Sequence, residues 1–310
     1  MTSRQTDRLA ILATTVIFCI AVAVLVRDFS GVGLRNVLSR LAALPASRIL
    51  VAAGLTAASY VLLAGYDFLA LRYVKRRLRF CDVLYASFTS FAFSNTIGFQ
   101  LVSGGSMRYR IYSRFGLEAI EIGEIVAFCT FTYVLGVITV GGLAALLDPA
   151  SFTSLLHLPQ WLISVFGLLL LAASAAYAAV AAIWRKPIAI GRYALRPPAP
   201  ALALAQIVFA SVDAVLAGAV LYALLPAETG MSFWSFIGVY IVAATASVLS
   251  SVPSGLGVYE TVVTAMTAAP ASKAGELGAL IAYRMIYFIA PLVIAMALVA
   301  VREFRFWPAK

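Results

Sequence analysis

The chain has 310 residues, 63% of them hydrophobic and 12% charged, with a net charge of +10 and a mean hydropathy of +0.99. A water-soluble domain carries about 25% charged residues, so the deficit excludes a globule solvated on all sides and makes lipid the solvent for most of the surface. The positive balance does not indicate nucleic acid, because the basic residues cluster between apolar runs, where cytoplasmic loops face anionic headgroups.

Arg4 and Arg8 precede a first apolar run, Leu9 to Val26. It is long for a signal peptide and is followed by Arg27-Asp28-Phe29 rather than a cleavage site, so it reads as a retained, peripheral first membrane helix. Residues 31–48 place Leu34, Leu38, Leu41 and Leu44 at helical spacing among Arg35, Arg40 and Arg48, which fits either an interfacial helix or a polar loop. Five further runs reach the roughly 20 residues that a crossing needs: Ile49–Leu71, Ile122–Leu147, Trp161–Trp184, Leu202–Leu225 and Leu277–Val301. The expected fold class is therefore an all-α polytopic membrane protein with about six full spans.

Two segments do not read as simple spans. Val83–Val102 is long enough to cross but carries Ser87, Thr89, Ser90, Ser94, Asn95, Thr96 and Gln100, and it runs into Ser103-Gly104-Gly105-Ser106. Trp234–Ala269 is interrupted by Val252-Pro253-Ser254-Gly255-Leu256-Gly257. Broken backbone at membrane depth survives only inside protein or beside water. Both segments read as re-entrant broken-helix hairpins, the second also as a tight pair of tilted helices. The positive-inside rule supports this: with both re-entrant, 17 basic residues lie in the cytoplasm and 5 outside, with Arg284 inside a span. If the first segment crossed, the balance would invert to 8 inside and 14 outside. The N- and C-termini are accordingly expected in the cytoplasm.

The two hairpins look related. Each follows a span carrying an aspartate, Asp67 or Asp213, and each reaches a Ser-Gly turn, Ser103-Gly104 or Ser254-Gly255, some 36 and 41 residues later. Three crossings separate the two units, so the second is upside down relative to the first. Units of about 49–147 and 200–301 form an inverted repeat, an architecture of transporters with broken helices meeting near mid-membrane. The whole of 1–310 then reads as a single transmembrane domain.

Ionisable groups inside lipid are the sharpest chemical signal, each costing roughly 2.5–3.5 kcal/mol at a helix centre. Asp213 lies mid-span, Asp67 near the end of its own, Arg284 eight residues into the last, and Glu260 just beyond the broken turn. They fit a polar cavity in which Arg284 holds an anionic group balanced by Glu260 and Asp213, or a structural ion pair of Arg284 with one of those carboxylates. Gly104-Gly105-Ser106-Met107-Arg108-Tyr109-Arg110 offers backbone N–H groups, hydroxyls and guanidinium forks suited to a lipid phosphate, against the plainer reading of positive-inside charges on a loop. Glu118, Glu121 and Glu124 share a helix face at the start of a span, where they could meet a cationic headgroup, favour the helix N-terminus or pair with Arg108 and Arg114. Phe88, Phe91, Phe93 and Phe99 read as helix-interface packing. Cys19, Cys81 and Cys129 have no paired spacing, and His157 stands alone, so no disulfide, zinc site, metal or other cofactor is called for.

Several stretches carry a resemblance. Gly65-Tyr66-Asp67 with Ala70-Leu71-Arg72-Tyr73, the run Ala92 to Phe99, and Ser103 to Ser113 resemble the multiple peptide resistance factor family, bifunctional lysyl-phosphatidylglycerol synthase/flippase proteins of bacteria. Pro253-Ser254-Gly255-Leu256-Gly257-Val258-Tyr259-Glu260 resembles the Pro-Gly-Gly-x-Gly-x-x-Glu signature of the wider superfamily, with Ser254 where glycine is usual. The resemblance covers essentially the whole chain. It implies a flippase domain that moves aminoacylated phosphatidylglycerol from the inner to the outer leaflet of the bacterial inner membrane, weakening cationic antimicrobial peptides. The family's tRNA-dependent lysyltransferase domain is not expected within these residues, so the domain itself is expected to be no enzyme.

On that reading the headgroup path comprises Asp67, Ser103, Gly104, Gly105, Ser106, Arg108, Arg110, Asp213, Ser254, Gly255, Gly257, Glu260 and Arg284. Phosphate would meet Arg108 or Arg110 on the inner side and Arg284 on the outer, and the ammonium would meet Asp67, Asp213 or Glu260. One rival reading is a membrane anchor that presents lipid to a synthase and moves nothing; another is an enzyme working within the membrane on a lipid-linked substrate, with Asp and Glu as acid and base. The expected partners are the membrane and its phospholipid, with no nucleic acid. Whether a synthase is joined covalently or separate, and whether two copies form a homodimer, stays open at this point.

Overall fold

A computed structural model describes residues 44–97, 100–184, 188–190, 193–195, 197–226, 231–250, 255, 257–266 and 273–306. The expected first span, Leu9 to Val26, and nearly all of the 31–48 stretch lie outside the described residues.

The chain is helical, as its apolar runs require. Helix α1 (Ala46–Tyr73) leads to the arms α2 (Phe80–Ile97) and α3 (Gln100–Ser113), then to α4 (Ala119–Leu147). A short α5 (Pro149–Leu156) precedes α6 (Gln160–Ile183), and a two-stranded turn, β1 (Ile188–Ile190) with β2 (Tyr193–Leu195), leads to α7 (Pro200–Leu224). The arms α8 (Phe233–Ser250) and α9 (Val258–Met266) follow. Helix α10 (Lys273–Tyr283), a π-helical stretch at Arg284–Ile289, and α11 (Ala290–Phe306) make one last crossing.

Among the described residues six helices are long and apolar enough to cross a membrane. Five coincide with expected spans. The sixth is α8, which the sequence reading made one arm of a re-entrant hairpin. At 1.5 Å per residue its 18 residues reach about 27 Å, nearly the roughly 30 Å of a hydrocarbon core. Its length alone would carry it across; its neighbours show that the chain comes back.

Those neighbours fix both ends of the bundle. At one end Arg76 pairs with Glu121 at 2.7 Å and Arg302 with Asp82 at 2.8 Å. The loop after α1 therefore adjoins the starts of α2 and α4 and the end of α11, so α2 and α3 enter and return on one side. At the other end the Arg48 guanidinium donates to the Leu225 carbonyl at 2.9 Å, and Ser235 hydrogen-bonds Asp148. A Cβ on Gly275 would lie 2.8 Å from the Pro226 ring, so α10 starts where α7 ended. The pair α8 and α9 thus also returns to its own side, the opposite one.

Helices α1 and α7 pack most extensively and run antiparallel: Arg48 meets Leu225, Ser59 meets Asp213, and Gly65 lies against the Phe209 ring. Helix α2 packs on α11, and α8 packs on α4. Lipid tails are as apolar as leucine, so such helices associate through close backbone approach and polar contacts rather than the hydrophobic effect. Gly136 provides one approach, since a Cβ there would sit 2.5 Å from the Ala210 carbonyl oxygen of α7. Buried Gln206 on α7 provides a polar contact, donating to Thr132 on α4 at 2.7 Å and accepting from Tyr177 on α6.

Gly136→Ala should push α4 off α7 and cost about 1–3 kcal/mol. Gly54→Ala, where no atom lies within 4 Å of the added Cβ, should be neutral or slightly stabilising. Thermal unfolding of the two variants in detergent measures the difference.

Candidate functional site

The tips of the two hairpins meet over one cavity of about 100 Å³. The α2 arm contributes Phe91, Ser94 and Asn95, and the α3 arm contributes Arg108. From the opposite hairpin come Tyr240, Ser247, Val248 and Tyr259, and from α7 comes Asp213. Helix α4 adds Cys129, Thr130 and Tyr133, and the π-helical stretch adds Tyr287 and Phe288.

Two carboxylates in this region have opposite surroundings. Asp67 on α1 is 0% exposed and takes both forks of Arg108, each at 2.9 Å, plus the Tyr112 hydroxyl at 2.8 Å. The Arg108 guanidinium also lies 4.5 Å over the Phe91 ring. A bidentate pair with ring stacking is the geometry in which arginine is best matched inside a protein. Asp213 on α7 is 5% exposed and has hydroxyls only: Ser59 donates to Oδ1 at 2.7 Å and Tyr66 to Oδ2 at 3.2 Å. Because Ser59 spends its proton on Asp213, Tyr287, 3.0 Å from Ser59, must donate to it. Among the described residues no cation pairs with Asp213.

The π-helical stretch is held from outside. A widened turn misaligns carbonyls that an α-helix would satisfy, and in lipid these need partners. Tyr60 of α1 donates to the Tyr287 carbonyl at 3.2 Å, and Thr96 of α2 donates to the Phe288 carbonyl at 3.3 Å. Around this stretch the rings of Tyr240, Tyr259, Tyr283, Tyr287 and Phe288 pack edge to face or stacked, with Tyr283 on Tyr287 at 5.3 Å and 14°. The Tyr240 and Tyr283 hydroxyls are 3.0 Å apart.

Several sequence expectations change here. Ser103, Gly104, Gly105 and Ser106 lie within helix α3, so their backbone is not an open loop displaying N–H groups; α2 ends at Ile97 and α3 starts at Gln100. Gly104 instead lets the two arms close, since a Cβ there would stand 3.1 Å from Ser94 and 3.3 Å from Arg108. Arg108 is committed to Asp67, and Asp213 is held by hydroxyls, so of the two structural pairings open to Arg284 the one with Asp213 is not formed, while the one with Glu260 falls outside the described residues. Arg110 and Arg284 are both partly exposed. Gly255 and Gly257 do form a turn, with φ of +63° and +79°, a backbone region that glycine enters without strain. Ser254 and the side chain of Glu260 lie outside the described residues.

Glu118 and Glu121 form a capping box on α4, with Glu121 also taking Arg76. The helix N-terminus reading accounts for both. Phe88 and Phe93 pack between helices as expected, while Phe91 lies under Arg108 and lines the cavity; Phe99 is outside the described residues. The tyrosines were missed in the sequence. Their signal was available: Tyr60, Tyr66, Tyr133, Tyr240, Tyr259, Tyr283 and Tyr287 all fall inside apolar segments, where a hydroxyl must find a partner.

With this geometry in hand, the transmembrane-region model of lysylphosphatidylglycerol synthases matches residues 9–295. The chain belongs to this family. It is 36% identical to the Synechocystis protein slr0712 over 276 residues, 89% of this chain and 86% of that one. It is 32% identical to the Escherichia coli inner membrane protein YbhN over 250 residues, 80% and 78% of the two chains. With the Staphylococcus aureus phosphatidylglycerol lysyltransferase identity is 24% over 302 residues, 94% of this chain but 34% of that protein. The family membership and the six long apolar helices make this a multi-pass membrane protein.

Removing one partner of a buried ion pair strands the other charge, at a cost of about 3–5 kcal/mol. Asp67→Leu and Arg108→Leu should each lower stability by about that much. The double variant should lose clearly less than their total, which a double-mutant cycle of thermal unfolding in detergent measures.

Proposed function

We propose that this domain is a lipid flippase or scramblase that passes the headgroup of an aminoacylated phosphatidylglycerol, of the lysyl-phosphatidylglycerol type, from the inner to the outer leaflet. The observation that carries the reading is the cavity at the meeting point of two hairpins that enter from opposite sides, with a carboxylate lacking a cation on its wall. Units 49–147 and 200–301 act as an inverted repeat, and rocking of one against the other opens the cavity to each leaflet in turn. The headgroup crosses through the polar interior while the acyl tails stay in lipid. Arg110 and Arg284 are the phosphate contacts, and the hairpin tips, with Ser254, Gly255, Gly257 and Glu260 on the second, form the sliding surface. Asp67 and Arg108 brace the first hairpin in the state described.

The bacterial inner membrane, with both termini in the cytoplasm, is the setting in which the basic clusters near Arg76, Arg114 and Arg302 face anionic headgroups. The lysyltransferase activity named for the Staphylococcus aureus relative supplies the substrate class. Outward movement of a lysylated lipid would lower the negative surface charge and weaken cationic antimicrobial peptides. The rival reading, an anchor presenting lipid to a synthase, gains one observation: the Asp67–Arg108 pair is closed and fully matched. It leaves Asp213 without a purpose.

Proteoliposomes test the reading. With fluorescent lysyl-phosphatidylglycerol in one leaflet and quencher outside, the wild type should exchange lipid at least tenfold faster than empty vesicles. Asp213→Asn and Arg284→Ala should remove most of that excess while eluting as folded protein. No exchange above empty vesicles would leave the anchor.

A further inference from the structure

The segment joining α1 to α2 alternates between committed and free residues. Val74 and Leu78 pack against the core, and Arg76 between them donates twice to Glu121, at 2.7 and 3.0 Å. Lys75, Arg77 and Arg79 fall in the gaps. All three are exposed, as is Arg72 in the last turn of α1, and among the described residues none of the four makes an ion pair or a side-chain hydrogen bond. Alternate residues of an extended stretch point to opposite sides, so the committed positions fix the segment while the free cations stay in front of it. From Asp67 to Glu124, with Arg302 of α11, nine cations stand against five acids. Asp67 takes Arg108, Asp82 takes Arg302, Glu121 takes Arg76 and Glu118 caps α4. Glu124, one turn along α4, is exposed, and Arg110 and Arg114 have contacts of their own.

Lys75 has a φ of +59°, in the left-handed region that glycine enters freely and lysine rarely does. Its N–H donates to the Arg72 carbonyl at 3.2 Å, and the Arg76 N–H donates to the Leu71 carbonyl at 2.9 Å. This double closure ends a helix, and its left-handed position is usually glycine. Helix α3 ends the same way, with Gly116 at φ +77° and the Gly116 and Leu117 N–H groups on the Ser113 and Tyr112 carbonyls. One helix end thus has glycine where the other keeps a strained lysine. The helix dipole does not explain that choice, because Arg72 already places a cation in the last turn of α1; a strained residue held in place points to a use. Beside Arg79, the ring of Phe80 is 63% exposed and stacks on Phe68 of α1 at 5.2 Å and 20°. Cations next to an exposed apolar shelf at the end of membrane helices fit an anionic amphiphile rather than a soluble anion. One phosphodiester carries a single negative charge. Two on one molecule supply two charges and four free oxygens, and the second binds at the effective concentration that the link sets. We infer that the α1–α2 segment is a binding site for a phospholipid carrying two phosphodiester groups, held by Arg72, Lys75, Arg77 and Arg79 with its apolar part on Phe80 and Phe68. The site is separate from the cavity and does not rest on the transport reading. A lipid held there braces the root of the first hairpin.

The test uses the full chain purified in detergent and titrated with cardiolipin or with phosphatidylglycerol at equal anionic charge, bound lipid being counted by native mass spectrometry. The wild type should bind cardiolipin at least tenfold more tightly. The triple variant Lys75→Ser, Arg77→Ser, Arg79→Ser should lose at least tenfold in cardiolipin affinity while unfolding, free of added lipid, near the wild-type midpoint. Lys75→Gly separates a ligand site from a merely basic loop. Removing the strain should raise its lipid-free midpoint by about 2 °C, and losing one cation at a charged surface should lower cardiolipin affinity about fivefold. A Lys75→Gly variant that is more stable and binds cardiolipin as well as wild type overturns the inference. So does a triple variant with unchanged affinity, or equal affinity for the two lipids at equal charge. Displacement of cardiolipin by inorganic pyrophosphate at equal concentration would place the occupant in water and overturn the lipid assignment.

Discussion

The antiparallel contact of α1 with α7 is the constraint on which the rest depends. These helices have no hydrophobic reason to associate in lipid. They are drawn together by the need to keep Asp213 off the hydrocarbon: Ser59 and Tyr66, seven residues apart on one stripe of α1, hold its two oxygens. Small residues let the contact close, with Gly65 of α1 beneath Phe209 and Gly136 of α4 against Ala210. Once α1 and α7 are locked, each hairpin must cover the last crossing of the other half, α2 on α11 and α8 on α4. The polar tips then have one place to meet.

What could be read from the sequence was what lipid enforces. Apolar runs of 20 residues gave five crossings, and the asymmetry of Arg and Lys gave a first hairpin that returns to its own side, as Arg76, Glu121, Asp82 and Arg302 show at one end. The second segment's glycine turn was legible because Pro253 and two glycines interrupt the apolar run; Gly255 and Gly257 do take positive φ. The Ser103–Ser106 run was misleading for a physical reason. In water a Gly-Gly pair weakens a helix, but in a membrane glycine also serves close packing, and here it brings Ser94 and Arg108 alongside. Composition cannot separate those uses.

Pairing was the least legible layer. Asp67, Asp213, Glu260 and Arg284 were visible as costly charges and Arg108 as a loop cation, but spacing along the chain does not say which of them lie side by side across helices. Arg108 finds Asp67 from 41 positions away, and Asp213 is matched by hydroxyls on a helix 154 and 147 positions away. Tyrosines were overlooked because each is ordinary alone. Their significance comes from the π-helical stretch, which turns Tyr287 and Phe288 toward the cavity and leaves carbonyls that Tyr60 and Thr96 must satisfy.

The inequality between the halves has a mechanical consequence. A perfectly symmetric pair of hairpins would place matched ion pairs on both sides, and each would resist movement equally. Here the first hairpin is pinned to α1 by a bidentate pair with an added hydroxyl. Asp213, by contrast, answers to α1 hydroxyls and makes no ion pair with the second hairpin among the described residues. Hydroxyl contacts exchange partners at far lower cost than a buried ion pair, which strands a charge when it opens. On the transport reading proposed above, motion at the cavity separates α8 and α9 from it while α2 and α3 stay with α1.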